Sequence, residues 1–194
     1  MKQTFYKRIY GLHDFYYFLK DAVASFAILR KARRQKIISK AFQERLMLAV
    51  TQVNGCEMCS YYHSKVALKS GMTEEEIHKM LAGESDTIPS EESVAVLFAQ
   101  HYAESAGQPD PQTWQRLIQY YGMEKAQVIL AYIRIIMMGN IYGIAAGALL
   151  SRLKGQPVKK SAFLQELLIL ISVIILMPFF YFQKIFGKLQ ERKI

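Results

Sequence analysis

Beyond Cys56 and Cys59 the chain has no cysteine, so a disulfide-stapled fold is excluded and any thiol chemistry is confined to one stretch. A second C-x-x-C or an H-x-H pair, the usual completion of a tetrahedral zinc site, is missing as well. No segment alternates apolar and polar residues with a period of two over a useful length, which argues against a sheet and for an all-α body. Lys2, Lys7 and Arg8 stand near the start, but Asp14, Lys20 and Asp21 interrupt the apolar residues that follow and no cleavage site stands out. A secretory signal peptide is therefore not expected. Acidic side chains are in the minority, with 16 Asp+Glu against 25 Lys+Arg and a formal net charge of +9.

The distribution of that positive charge limits the partners. Arg30, Lys31, Arg33, Arg34 and Lys36 cluster near the start, while Lys159, Lys160, Lys184, Lys188, Arg192 and Lys193 flank an apolar segment near the end. Neither group carries an interleaved aromatic stacking platform or zinc-finger spacing, so nucleic acid is not an expected partner, and anionic lipid headgroups fit better. A length of 194 residues suffices for one core with extensions rather than two full domains.

Along the chain, Phe5, Ile9, Leu12, Phe15, Leu19, Val23, Phe26 and Leu29 recur at threes and fours, the pattern of an amphipathic helix packed on the body or lying on a membrane. A second helix is expected over Ile37 to Val53 and a third from about Cys56 to Ser70, stopped by Gly71. Asn54 or Gly55 is placed to cap that third helix. Thr73-Glu-Glu-Glu76 is a capping box opening a fourth. A fifth runs from Ser90 to Ser105 with Val94, Leu97, Phe98 and Tyr102 inward, and Asp110-Pro111 opens a sixth that ends at Gly122. Glu124 to Leu153 forms a long apolar helix whose Gly139, Gly143, Ala146 and Gly147 permit close approach of a neighbour. After a linker at Gly155 to Ser161, Leu167 to Phe182 is apolar except for Ser172. It falls short of the roughly 18 residues of a confident spanning helix, but it shows no polar side and contains Pro178, which membrane helices tolerate. A membrane tail is favoured over a core helix.

The chemistry concentrates at Cys56, Cys59 and His63, which helical spacing puts on one face. Amide N–H groups and the dipole at a helix start favour a thiolate. A dithiol pair leaves three readings open: a redox couple, in which His63 takes the Cys59 proton and Glu44 orients the imidazole; a metal site completed by Glu44, His101, His78 or His13; and two buried structural cysteines beside a core histidine.

Glu44, Cys56, Cys59 and His63 together match E-x11-C-x2-C-x3-H. This pattern resembles that of the AhpD-like alkylhydroperoxidases of the carboxymuconolactone decarboxylase superfamily. Ala49-Val-Thr-Gln-Val-Asn-Gly-Cys56, Ala67-Leu-Lys-Ser-Gly71, Thr73-Glu-Glu-Glu-Ile77 and Asn140 within Met138-Gly-Asn-Ile-Tyr142 extend the likeness from about Ile37 to Leu153. The resemblance implies an all-α AhpD-like helical bundle that forms homo-oligomers and reduces peroxides at the expense of a thiol or dithiol donor, without metal or other cofactor. It implies Cys59 as the peroxidatic thiol, Cys56 as the resolving thiol, and His63 with Glu44 as the proton relay. Met58 stands where the best-known members carry histidine, a departure that bears on peroxide turnover. Residues 1–36 form an amphipathic and basic extension on this reading, 37–153 the bundle, and 154–194 a linker and apolar helix. A thiol-dependent peroxidase with its catalytic domain in the cytoplasm is the expected function. The alternatives are a membrane-attached binding or scaffold protein that keeps the fold without turnover, and a decarboxylase or isomerase of the same superfamily, against which the complete thiol motif argues.

Overall fold

In the computed structural model, which describes residues 7–187 and Leu189, eight α-helices and no strand are found among the described residues. They are α1 (Leu12–Gln35), α2 (Lys40–Asn54), α3 (Glu57–Lys69), α4 (Glu74–Ala82), α5 (Ser90–Glu104), α6 (Pro111–Tyr121), α7 (Met123–Leu153) and α8 (Phe163–Ile185). The expected all-α bundle with an apolar C-terminal helix is the observed architecture. Phe5, Lys2, Lys188, Arg192 and Lys193, named above for the first helix and the basic flanks, lie outside the described residues.

The caps explain most of the boundaries. Ser39 accepts from the Phe42 N–H at the start of α2. Thr73 and Glu76 close a reciprocal box on α4, and Asp110 accepts from Gln112 N–H with Pro111 at the first position of α6. Each of these satisfies amide donors that a helix start leaves without intrahelical partners.

Four expectations need correction. The first helix starts at Leu12, because Gly11 is its N-cap and its N–H donates to Asp14. Residues 7–11 run over the body as an irregular segment. Lys7 donates to the Gln52 carbonyl, Arg8 to the carbonyls of Ala103 and Glu104, and Tyr10 to Asn54 Oδ1. The basic cluster is the last turns of α1, closed by Lys36 in the left-handed region at φ 51°. Asn54 and Gly55 end α2 rather than cap α3: Gly55, at φ 71°, turns the chain and Cys56 is itself the N-cap. Leu97 faces outward at 59% exposure, and Ala95, Val96 and Ala99 join Phe98 and Tyr102 in the core instead. A helix face this rich in alanine is hard to place from periodicity alone, since small residues pack close without forming an apolar stripe.

Helix α7 is the axis. It packs against α1, α2, α3, α5, α6 and α8, and Ile129, Ile133, Met137 and Ala148 on it are fully buried. Helix α1 packs along α7 and α8 rather than standing apart. Helix α2 lies between α3, α4, α5 and α7, so its side chains reach the dithiol helix on one side and a charged cluster on another.

Candidate functional site

The site is assembled by α2, the Gly55 turn, the first turn of α3 and the middle of α7. Cys56 and Cys59 are joined in a disulfide. The Cys56 sulfur accepts from the Cys59 N–H at 3.3 Å, so the first thiol of the motif does the capping that Asn54 or Gly55 was expected to do. Cys59 Sγ lies 3.7 Å from the Gly139 carbonyl of α7. Cys56 is fully buried, whereas Cys59 is partly exposed. The two residues joined by the bond therefore differ in access to solvent.

Gly143 is what lets α7 come this close. A Cβ built there would fall 2.7 Å from Cys56 Sγ and 2.9 Å from Cys59 Sγ, well inside van der Waals contact. Of the four small residues anticipated as a close-approach surface, this one meets the disulfide itself; a Cβ at Gly139 would meet only Ile136 at 3.9 Å.

One helical turn beyond Cys59, His63 places Nδ1 2.7 Å from Glu44 Oε2. Glu44 is almost wholly buried, and its other oxygen receives Lys40 Nζ at 2.7 Å. Burial pushes the Glu44 carboxyl up, but hydrogen bonds from His63 and Lys40 and the charges of both outweigh it, so the acid is held below its ordinary range. An ionised Glu44 accepts the Nδ1–H, and in the neutral ring this leaves Nε2 as the unprotonated nitrogen. Lys40 is exposed over more than half of its side chain and connects the buried carboxylate to solvent. Sequence reasoning missed it, although its i,i+4 relation to Glu44 was legible.

Of the other sequence candidates, Asn140 is fully buried beside the site; its Oδ1 accepts from Thr51 Oγ1 at 3.1 Å while Nδ2 has no hydrogen-bond partner among the described residues. His101 does not join the constellation: its Nε2 accepts the Asp110 N–H at 3.1 Å and fastens the start of α6. Met58 is 48% exposed, next to the exposed Tyr61 and Tyr62. Among the described residues no group of three or more His, Cys, Asp or Glu side chains is arranged to hold a metal ion. Glu44 and His63 thus pair between α2 and α3, one helical turn of α3 from the Cys56–Cys59 disulfide that faces α7.

A family model described as the carboxymuconolactone decarboxylase family matches residues 20–99. That span holds all four residues and reaches back into α1, beyond the Ile37 at which the likeness was expected to begin. An uncharacterized protein YdfG of Bacillus subtilis (strain 168) is 30% identical over 122 residues, covering 61% of this chain and 82% of the relative. No solved structure matches.

Proposed function

The chain belongs to the carboxymuconolactone decarboxylase family, and from that premise we propose that it is a thiol-dependent oxidoreductase reducing peroxides through Cys56 and Cys59. The observation that carries this reading is the unequal access of the two cysteines, with Cys56 buried and Cys59, one helical turn before His63, partly exposed. An open thiol can meet a substrate, and a buried neighbour within bonding distance can resolve what it forms.

In the reduced protein, His63 Nε2 takes the Cys59 proton. The third position of α3 further favours the thiolate through the helix dipole. The thiolate attacks one peroxide oxygen, an S–O bond forms as the O–O bond breaks, and the leaving alkoxide takes the proton from His63 to depart as alcohol. Cys59 is then a sulfenic acid. Cys56 attacks that sulfur, the disulfide forms, and the hydroxyl leaves as water with the Cys56 proton. An external dithiol donates two electrons and two protons to reopen the bond. Glu44 holds the imidazole in the tautomer that the first step needs, and stabilises the imidazolium it becomes.

Peroxide consumption coupled to a dithiol donor tests this directly. Cys59→Ser is expected to abolish it and His63→Ala to reduce it strongly. Undiminished turnover in Cys59→Ser would remove the proposed nucleophile, and absence of turnover in the wild-type protein would favour a family member that binds without reacting. Two further expectations belong to the same reading. Homo-oligomers are formed, with the exposed Met58, Tyr61, Tyr62 and Leu68 of α3 supplying an apolar contact face. Helix α8 attaches the protein to a membrane with the dithiol on the reducing, cytoplasmic side.

A further inference from the structure

The manner of that attachment is open to a finer reading, which rests on α8 being the membrane-binding element. Among the described residues two helices are long and apolar enough to cross a bilayer, and they differ in surroundings. The most apolar window of α7 is 78% buried inside the protein, and that of α8 only 17%. The exposed part of α8 is one continuous face that runs on to its C-cap: Leu164, Leu168, Ile171, Ile175, Phe182 and the capping Phe186 follow at helical spacing, with Ile175 67% and Phe186 71% exposed.

The opposite face is fastened to the body at both ends. Glu166, 1% exposed, receives Arg152 of α7 on both carboxylate oxygens at 2.8 and 3.0 Å. Gln165 donates to the Tyr10 carbonyl, and Lys184 donates to the carbonyls of Val23 and Ala24 on α1. Phe180 is fully buried and meets Tyr16 edge-on. Helix α8 is therefore held to α7 and the Tyr10 segment at its start and to α1 at Phe180 and Lys184. To cross a bilayer it would carry α1 with it, including the exposed His13 and the Arg30 to Arg34 cluster.

Pro178 adds a second argument. Lacking an N–H, it leaves the Ile174 carbonyl without an intrahelical donor. Ile174 is 70% exposed and stands at the middle of α8, which in a spanning helix is the dry centre of the membrane. A helix lying in the interface keeps that carbonyl within reach of water.

Charge then selects the occupant. Lys159 and Lys160 are exposed just before α8. At its other end α1 extends past it, and Arg34 lies about five turns along α1 from Tyr16, on the same stripe. A second copy of the chain laid on this face, parallel or antiparallel, would bring basic ends against basic ends, because between Lys154 and Gly187 the one acid is Glu166, already paired with Arg152. Anionic headgroups meet the same ends favourably. We infer that α8 lies in the plane of an anionic lipid bilayer, its outer apolar face in one leaflet and its two basic ends among the headgroups of that same leaflet.

Flotation of the full-length oxidised protein with sealed vesicles tests this, using phosphatidylglycerol mixed into phosphatidylcholine against phosphatidylcholine alone. Binding is expected to be about tenfold or more tighter to the anionic vesicles, to weaken with added salt, and to be lost in Ile171→Glu/Ile175→Glu with peroxide turnover unchanged. Topology is read from Ser161→Cys and Gly187→Cys, which flank the apolar face at its two ends, each labelled on bound vesicles by a membrane-impermeant maleimide while the native pair stays in its disulfide. Labelling of both positions from outside is the expected result. Protection of one end would overturn the in-plane arrangement while leaving membrane attachment standing. Failure to float, or a soluble dimer broken by the double glutamate variant, would overturn attachment itself.

Discussion

Glu44 and Arg45 are consecutive on α2, both are buried, and they do opposite things. Arg45 is enclosed by two acids, with Nη2 2.6 Å from Glu76 of α4 and Nη1 2.9 Å from Glu92 of α5. Burial works against its charge, but the hydrogen bonds and charges of the two carboxylates raise its pKa above the ordinary value. Burial dominates for Glu92, whose pKa is raised. The cluster ties three helices together and leaves none of the three side chains available for chemistry. Glu44 instead pairs with the imidazole of His63, on the helix that carries the thiols. A buried charge closed by fixed partners holds a fold; one closed by an imidazole can pass a proton on.

Substitutions that separate stability from turnover sharpen this contrast. Arg45→Ala should have the largest effect on the fold, about 3–5 kcal/mol of lost stability in denaturant titration, because Glu76 and Glu92 would remain partly buried without their cation. Dithiol chemistry per folded molecule should persist. His63→Ala should do the reverse, with turnover reduced by about 10² to 10⁴ and a smaller loss of stability, because Lys40 still pairs the buried Glu44 carboxylate. A loss of stability as large as that of Arg45→Ala would instead make His63 a structural partner of Glu44. Gly143→Ala should cost about 1–3 kcal/mol in the oxidised protein, because the added methyl meets both sulfurs and α7 or the disulfide must shift; comparing melts of oxidised and reduced protein checks it.

The pH dependence is smaller and has a definite sign. Glu44 is held below its ordinary value in the folded protein, so the stability it confers is present above the unfolded carboxylate range and is lost as pH falls through the lowered folded value. Glu44→Gln should flatten that acid limb in melts recorded on the acid side of the carboxylate range. Lys40→Ala should have the least effect, a rate change of about twofold to threefold, since an exposed lysine is screened by solvent.

How much of this was legible in the sequence depends on how local the cause is. Thr73 with Glu76 and Asp110 with Pro111 mark helix starts by contacts within a few residues, and those starts fall where the pattern put them. Glu44, Cys56, Cys59 and His63 were legible as a spacing, and α2 and α3 bring them together because Gly55 turns the chain between them. Cys56 as its own N-cap was less legible, since cysteine is not among the usual capping residues. Leu97 was misplaced because the buried face of α5 is largely alanine. The contrast between α7 and α8 was legible in part: α8 showed no polar side, but that α7 sits among six other helices while α8 packs one face and leaves the other over depends on long-range packing. Gly143 was legible as small, but that the disulfide is what it accommodates depends on the register of α3 against α7, a long-range property.

The central claim is that Cys56 and Cys59 form one reversible redox couple, with Cys59 attacked first. Mass spectrometry of the fully reduced protein after a brief, limiting peroxide pulse tests it most directly. The account predicts an intramolecular Cys56–Cys59 disulfide in the wild-type protein, reopened by dithiol, and a sulfenic acid trapped on Cys59 in Cys56→Ser. Thiols that stay reduced through the pulse, or oxidation that settles on Cys56 while Cys59 is untouched, would contradict it.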